Sequence, residues 1–172
     1  MTQSLVEVER KWLVHTPPDL PAHQGTEVIQ GYIVLAEDGT EVRLRRIGEQ
    51  CFQTVKSAGG LVRGELEVEL TQEQFEALWP ATTGRRLAKT RYRVPWAGTH
   101  IEIDVYSGSL AGLVVAEVEF PSAGESGQFT APPWCGTEVT EDEAYKNVNL
   151  ALHGKPGRIS SPRGTNAHRS CG

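Results

Sequence analysis

Paired cysteines are missing from this sequence. Cys51, Cys135 and Cys171 lie far apart, and no CxxC spacing occurs. That excludes a disulfide framework. With no basic segment leading into an apolar run near residue 1, free thiols in a reducing cytoplasm are expected. The five histidines show no ligand spacing either: His15 and His23 sit in a proline-rich stretch, and His100, His153 and His168 stand alone. A His/Cys zinc site is thereby excluded. No apolar run is long enough to span a bilayer, so no membrane partner is expected. The formal net charge of -5 argues against a nucleic-acid binder that relies on gross charge. A Walker-type glycine loop is also absent, so any phosphate would be held by side chains rather than by a backbone cradle.

What is present is alternation. At 172 residues the chain is long enough for one domain with a sizeable core. "VEVERKWLV", "VIQGYIVLA", "EVRLRRI", "CFQTVKS", "VRGELEVEL", "RRLAKTRYRVPW", "HIEIDVYSG" and "LVVAEVEF" all read as strands, separated by turn signals such as the Asp-Gly of "EDGTE". "TQEQFEALWPAT" switches to helical spacing, with Thr71 as its N-cap. "TEDEAYKNVNLALH" reads as a second helix, with Thr140 as N-cap and Glu143 three residues on. From Gly154 periodicity and apolar content fall away, so 1–153 is expected to be the domain and 154–172 a disordered tail. The pattern predicts an α+β protein built on an antiparallel sheet, closed or nearly closed on itself.

The charged faces of these strands then decide the reading. Glu7, Glu9 and Lys11 share one face; Glu41, Arg43 and Arg45 another; Arg63, Glu65, Glu67 and Glu69 a third. Lys89, Arg91 and Arg93 follow, then Glu102 with Asp104, and Glu117 with Glu119; Lys56 adds a single cation. Two architectures accommodate this. Either the apolar faces form a barrel core and the charged faces meet water, or the interior is a charged, wet tunnel and the apolar faces pack beneath helices and loops. Solvated faces mix residue types, whereas here acids and bases segregate by strand, which favours the tunnel. Carboxylates without His or Cys select hard cations such as Mg²⁺ or Mn²⁺. Clustered arginines and lysines need a polyanion, and the planar guanidinium fork suits phosphate.

The ordered set "EVERK", "VRLRR", the lysine of "TVK", "KTRY", "IEIDVY" and "VVAEVEF" resembles the CYTH, or triphosphate tunnel metalloenzyme, superfamily over roughly residues 5–153, and within it the short bacterial inorganic triphosphatases. The resemblance implies a closed eight-stranded antiparallel β-barrel with peripheral helices and a C-terminal plug helix. It implies that Glu7, Glu9, Asp104, Glu117 and Glu119 hold Mg²⁺ or Mn²⁺. It implies that Lys11, Arg43, Arg45, Lys56 and Arg91 bind the phosphate chain, with Lys146 reaching in from the plug helix. Glu65, Glu67 and Arg63 would support these residues from behind, and Glu102 shares the Asp104 face.

The activity so implied is metal-dependent hydrolysis of inorganic triphosphate to pyrophosphate and phosphate, with ATP as a further candidate substrate. Lys89 is the expected catalytic residue: set among cations, it would orient or deprotonate the attacking water, the alternative being simple phosphate binding. Tyr32 is either a partner near that water or a core tyrosine with a satisfied hydroxyl. Three alternatives stand beside this reading. The class IV adenylyl cyclases of the superfamily begin with HFxxxxExExK, and "MTQSLVEVERK" has no His-Phe pair. A thiamine triphosphatase would need an aromatic pocket, which Trp12, Trp79, Trp96 or Trp134 could supply. A non-catalytic polyphosphate-binding module would keep the bases and could lose the acids. The expected partner is a small polyphosphate, not nucleic acid and not a membrane, with a homodimer as the candidate assembly.

Overall fold

A computed structural model of the chain describes residues 8–56 and 65–157. Eight strands form one sheet: β1 (Val8–Leu13), β2 (Thr26–Leu35), β3 (Glu41–Ile47), β4 (Gln50–Lys56), β5 (Glu65–Leu70), β6 (Arg86–Trp96), β7 (Thr99–Tyr106) and β8 (Val114–Phe120). The spatial order is β1-β8-β7-β6-β2-β3-β4-β5, and every recorded pairing is antiparallel. Among the described residues three α-helices accompany the sheet: α1 (Gln72–Leu78), α2 (Ala123–Gln128) and α3 (Asn147–His153). The eight strands and the first helix stand where the alternation predicts them. Among the described residues no helix is long and apolar enough to cross a membrane.

The charged faces turn inward. On the outer face of β1 and β6–β8, Ile101, Ile103, Ala116 and Val118 are almost fully buried, covered by Phe129, Leu20, Trp134 and their neighbours. On the outer face of β2–β4, Leu44 and Cys51 lie under Phe75 of α1. Thr71 begins that helix with a capping box: its side chain accepts from the Gln74 amide, and the Gln74 side chain accepts from the Thr71 amide. A third apolar cluster stoppers the interior at one end. Leu87, Tyr106 and Val115 come from the sheet, and Tyr145 and Leu150 from the segment that ends in α3. The second architecture is therefore the observed one: apolar faces beneath helices and loops, charge within.

Two expectations change. The sheet is not closed by hydrogen bonds: its order ends at β1 and β5, and no pairing between them is found among the described residues. β1 and β5 each begin at the edge of the described residues, and Glu7 and Arg63 lie outside them. The helix predicted from a Thr140 cap begins later. The Thr140 hydroxyl accepts from the Lys11 amide at 3.0 Å and donates to Glu138 Oε1 at 2.8 Å, so it braces β1 instead. Asp142 caps a short 3-10 turn over Glu143–Tyr145, and α3 follows Lys146. Of the expected tail, residues 158–172 lie outside the described residues.

One close approach fixes the middle of the interior. A Cβ on Gly31 would sit 2.6 Å from Thr82 Cβ, so only glycine lets β2 pass beneath the turn after α1. The register of β2 against β3 slips immediately afterwards, between Tyr32 and Val34. Tyr32 is thereby held inward, 1% exposed.

Candidate active site

The sheet wraps a cavity of about 330 Å³ whose walls come from both of its end strands: Glu9 and Lys11 of β1 on one side, Glu65 and Glu67 of β5 on the other. Between them Arg43 and Arg45 of β3, Lys56 of β4, Lys89 and Arg91 of β6, and Glu117 and Glu119 of β8 complete the wall; Lys146 stands at the start of α3. The period of two that set these side chains on one face of each strand thus brings nearly all the predicted residues together. Three are placed differently. Glu7 lies outside the described residues. Glu102 lines a smaller adjoining space of about 170 Å³, together with Arg93, His100, Glu117 and Glu119. Asp104 does not line the cavity at all.

Asp104 is fully buried, and both of its oxygens are taken. Arg91 Nε donates to Oδ1 and Arg91 Nη2 to Oδ2, each at 2.7 Å, and Lys89 Nζ contacts Oδ2. A bidentate guanidinium is the strongest partner a carboxylate has. Burial pushes the Asp104 carboxyl up, but Lys89 and Arg91 outweigh it and hold it below the ordinary range. Asp104 therefore anchors two cations and stands behind the cavity wall that they form. The same contact corrects the expected surroundings of Lys89. Its nearest charged neighbour is this carboxylate, and Nζ lies 5.4 Å from the centroid of the Tyr106 ring.

The acidic wall is set by register. Glu9 lies directly opposite Glu119, and Glu117 lies between Lys11 on β1 and Glu102 on β7. Like charges directly across a ladder repel, so this arrangement calls for positive charge. Lys11 supplies part of it, 3.0 Å from Glu117 and 3.9 Å from Glu9. Burial pushes the Glu117 carboxyl up, while Lys89, Lys11 and Arg91 more than compensate and hold it low. Burial pulls the Lys11 ammonium down, and Glu117 and Glu9 raise it above the usual lysine value. Even so, Glu117 Oε1 is buried and accepts no well-aligned hydrogen bond. A hard, anionic oxygen with spare lone pairs beside two more cavity-lining glutamates fits a divalent cation. Among the described residues, however, no three such groups already converge as a preformed cage.

The basic wall also has unused capacity. Arg45 Nη2 donates to Glu67 Oε2 at 2.9 Å, Lys56 lies 3.1 Å from Glu65, and Arg43 Nη2 lies 3.9 Å from Glu65. Arg43 Nε and Arg45 Nε are nonetheless buried without an acceptor. Burial and the neighbouring Arg43 pull the Arg45 guanidinium below its usual value, although Glu67 opposes them. Two adjacent guanidiniums with spare N–H donors are a site for an anion with several oxygens.

Two polar lining residues, Gln30 and Asn147, were not anticipated. Gln30 is 1% exposed, and its Nε2 donates to the Tyr32 hydroxyl at 2.6 Å. Asn147 Oδ1 accepts from the Tyr106 hydroxyl at 2.6 Å, tying α3 to the sheet. Gln30 was legible as the polar residue alternating between Val28 and Tyr32; Asn147 carried no periodic signal. None of the four tryptophans lines the cavity. Trp12 packs near Phe129, Trp79 stacks on Phe75, Trp96 donates to the Thr130 carbonyl, and Trp134 packs on the outer core. Among the described residues Tyr32 is the one aromatic side chain lining the cavity.

The ion pairs give stability an acid limit. Asp104 and Glu117 have lowered pKa values in the fold, so their contribution is fully present above the ordinary values of 3.8 and 4.5. It is lost as pH falls below those values, through the depressed folded ones. In EDTA, thermal melts should drop steeply from about pH 4.5 downward, and Asp104→Asn should flatten that drop. A melting temperature that holds level down to about pH 2.5 would show that these carboxylates are not stabilised by the fold.

Fold and site together define a class: an eight-stranded antiparallel sheet curled around an interior lined by paired acids and bases. The chain belongs to the CYTH domain family, whose profile matches residues 5–151. It is 49% identical over 150 residues to the inorganic triphosphatase of Nitrosomonas europaea, covering 86% of this chain and 98% of that one. It is 35% identical over 146 residues to the inorganic triphosphatase of Acetivibrio thermocellus, covering 84% and 92%. Among solved structures, the crystal structure of the inorganic triphosphatase NE1496 superposes with a TM-score of 0.69 at 45% identity, covering 91% of this chain and 99% of that one. A putative adenylate cyclase from Bacillus halodurans, 15% identical with a TM-score of 0.53, covers 89% and 95% and shares the fold alone.

Proposed function

We propose that this protein hydrolyses inorganic triphosphate to pyrophosphate and phosphate inside the tunnel, with Mg²⁺ or Mn²⁺ bound. The observation that carries the reading is the opposition of charge across one cavity: Arg43 and Arg45, whose Nε donors have no acceptor, on one wall, and Glu9, Glu117 and Glu119 on the other. Relatives bearing the activity in their names, at 49% and 35% identity over most of the chain, support it.

In this reading Lys11, Arg43, Arg45, Lys56, Arg91 and Lys146 bind phosphoryl oxygens. Glu7, Glu9, Glu117 and Glu119 would hold the divalent cation, and Asp104 would hold Lys89 and Arg91 in place. When bound, the metal ion would supply charge neutralisation on the phosphoryl oxygens. The residues do the rest by position. Phosphoryl transfer needs an in-line nucleophile and fixed positive charge more than covalent chemistry. Lys89, buried and gripped by Asp104, presents such a charge at the inner wall. Because both end strands line the same cavity, we also propose that β1 and β5 meet around the substrate as a closed barrel.

A phosphate-release panel with triphosphate, ATP and thiamine triphosphate, each with Mg²⁺, Mn²⁺ or EDTA, tests the proposal. Triphosphate should be cleaved fastest, and EDTA should abolish release. Cyclic AMP with pyrophosphate as the main products from ATP would replace this reading by the cyclase.

A further inference from the structure

The two carboxylates on the basic wall occupy the cations that the substrate needs. Glu67 Oε2 accepts from Arg45 at 2.9 Å and from the buried hydroxyl of Thr54 at 2.7 Å. Thr54 is 0% exposed and sits on β4 opposite Glu67. Its hydroxyl therefore aims this carboxylate, which does not drift in solvent. Glu65, two residues along the same face of β5, lies 3.1 Å from Lys56 and 3.9 Å from Arg43. Same-face neighbours on a strand are about 7 Å apart. The pair thus sets two negative charges along a row of three cations, the one on Glu67 held in place by Thr54.

We propose that Glu65 and Glu67 are resident counter-anions that set the chain length the tunnel accepts. Arg43 Nε and Arg45 Nε are open to a phosphoryl group, but one that takes Lys56 Nζ or the Nη2 donors of Arg43 and Arg45 as well must displace a carboxylate that remains tethered beside it. A tethered competitor acts at high effective concentration. A triphosphate brings three phosphoryl groups to the row and can hold all three cations at once. A pyrophosphate or an orthophosphate covers part of the row and leaves a carboxylate free to recapture its cation. The same competition would eject the products, since cleavage turns one long competitor into two short ones. Specificity here is a penalty against the wrong ligand as much as an attraction for the right one. The inference rests on the proposed polyphosphate site but does not need the metal.

The test is calorimetric binding in EDTA, with sodium tripolyphosphate and sodium pyrophosphate as ligands, for wild type, Glu67→Gln, Glu65→Gln and Glu67→Asp. Glutamine keeps the shape and can still accept from Thr54. Each glutamine variant should bind both ligands more tightly, and pyrophosphate should gain the more. The preference for triphosphate over pyrophosphate should then shrink by about tenfold, the scale of one charge-assisted hydrogen bond. Glu67→Asp keeps the charge and should stay close to wild type. Thermal shifts with each ligand provide a second readout if a variant is too unstable for titration: the shift with pyrophosphate should grow relative to that with tripolyphosphate. An unchanged preference in Glu67→Gln and Glu65→Gln, or weaker binding of both ligands, would overturn the inference while leaving the triphosphatase reading intact. A wild-type protein that neither binds nor cleaves tripolyphosphate would overturn both.

Discussion

Glu117→Gln should lower kcat/KM for triphosphate by at least about 10²-fold, the consequence of losing several kcal/mol of charge stabilisation at a metal ligand. Glu117 is the buried member of the acidic wall, and its Oε1 has no well-aligned donor. Glutamine matches its size, so a loss of activity would reflect the charge. Activity should recover in part at high Mg²⁺ or Mn²⁺ if the defect is weakened metal affinity. The sign of the stability effect follows from the ion pairs. Glu117 has acidic neighbours in Glu102 and Asp104, but Lys11, Lys89 and Arg91 outweigh them, and its pKa is lowered. The fold therefore stabilises the ionised carboxylate, and removing it leaves buried Lys11 with the longer contact to Glu9 at 3.9 Å as its nearest ion pair. In EDTA near neutral pH, Glu117→Gln should melt several degrees below wild type. A variant that melts with wild type and keeps full activity at limiting Mg²⁺ would remove Glu117 from the metal site.

How much of this was legible before the structure depends on the kind of signal. Strands whose two faces differ announce themselves, because a one-residue slip would exchange every side chain between faces. "EVRLRRI" matches β3 end to end, and Arg43 and Arg45 do face the cavity. The inward direction of charge was legible from the segregation of acids and bases. Partnership was not. Asp104 and Glu117 share a pattern, yet register sets Asp104 opposite Arg91 and Glu117 opposite Lys11. One becomes an anchor for two cations away from the cavity, and the other lines the cavity beside Lys11. Residues that act across long loops were equally hidden. Arg10 interrupts the apolar face of β1, and only the folded chain explains it: it pairs with Glu138 at 2.7 Å and lies over the Trp12 ring. Thr140 made a plausible cap in sequence, but the Lys11 amide claims it. The helix α2, six residues long with Gly124 and Gly127, has too little helical propensity to be read, and is held by the Ser122 cap and its contacts with β1 and β8.

Lys89 separates two ways of using a lysine. Lys89→Ala should lower kcat by about 10²-fold or more under either reading, because both a general base and a fixed cation act at the cleaved bond. It should also leave Asp104 buried with Arg91 alone, so a fall in melting temperature is expected and does not discriminate. The discriminating measurements are Lys89→Arg and the pH profile. The structure puts Nζ against the Asp104 carboxylate, which it shares with Arg91, and an ammonium paired in this way is a fixed charge. A fixed charge makes two demands. Lys89→Arg, which keeps the charge and can still reach Asp104, should retain far more activity than Lys89→Ala. Wild-type kcat should also show no rising limb between about pH 7 and 10 that disappears in Lys89→Arg. A general base demands the reverse on both counts, since arginine is effectively never deprotonated. Loss of activity in Lys89→Arg equal to that in Lys89→Ala, together with a rising limb confined to wild type, would transfer Lys89 from the cations that line the tunnel to the group that takes the proton from water.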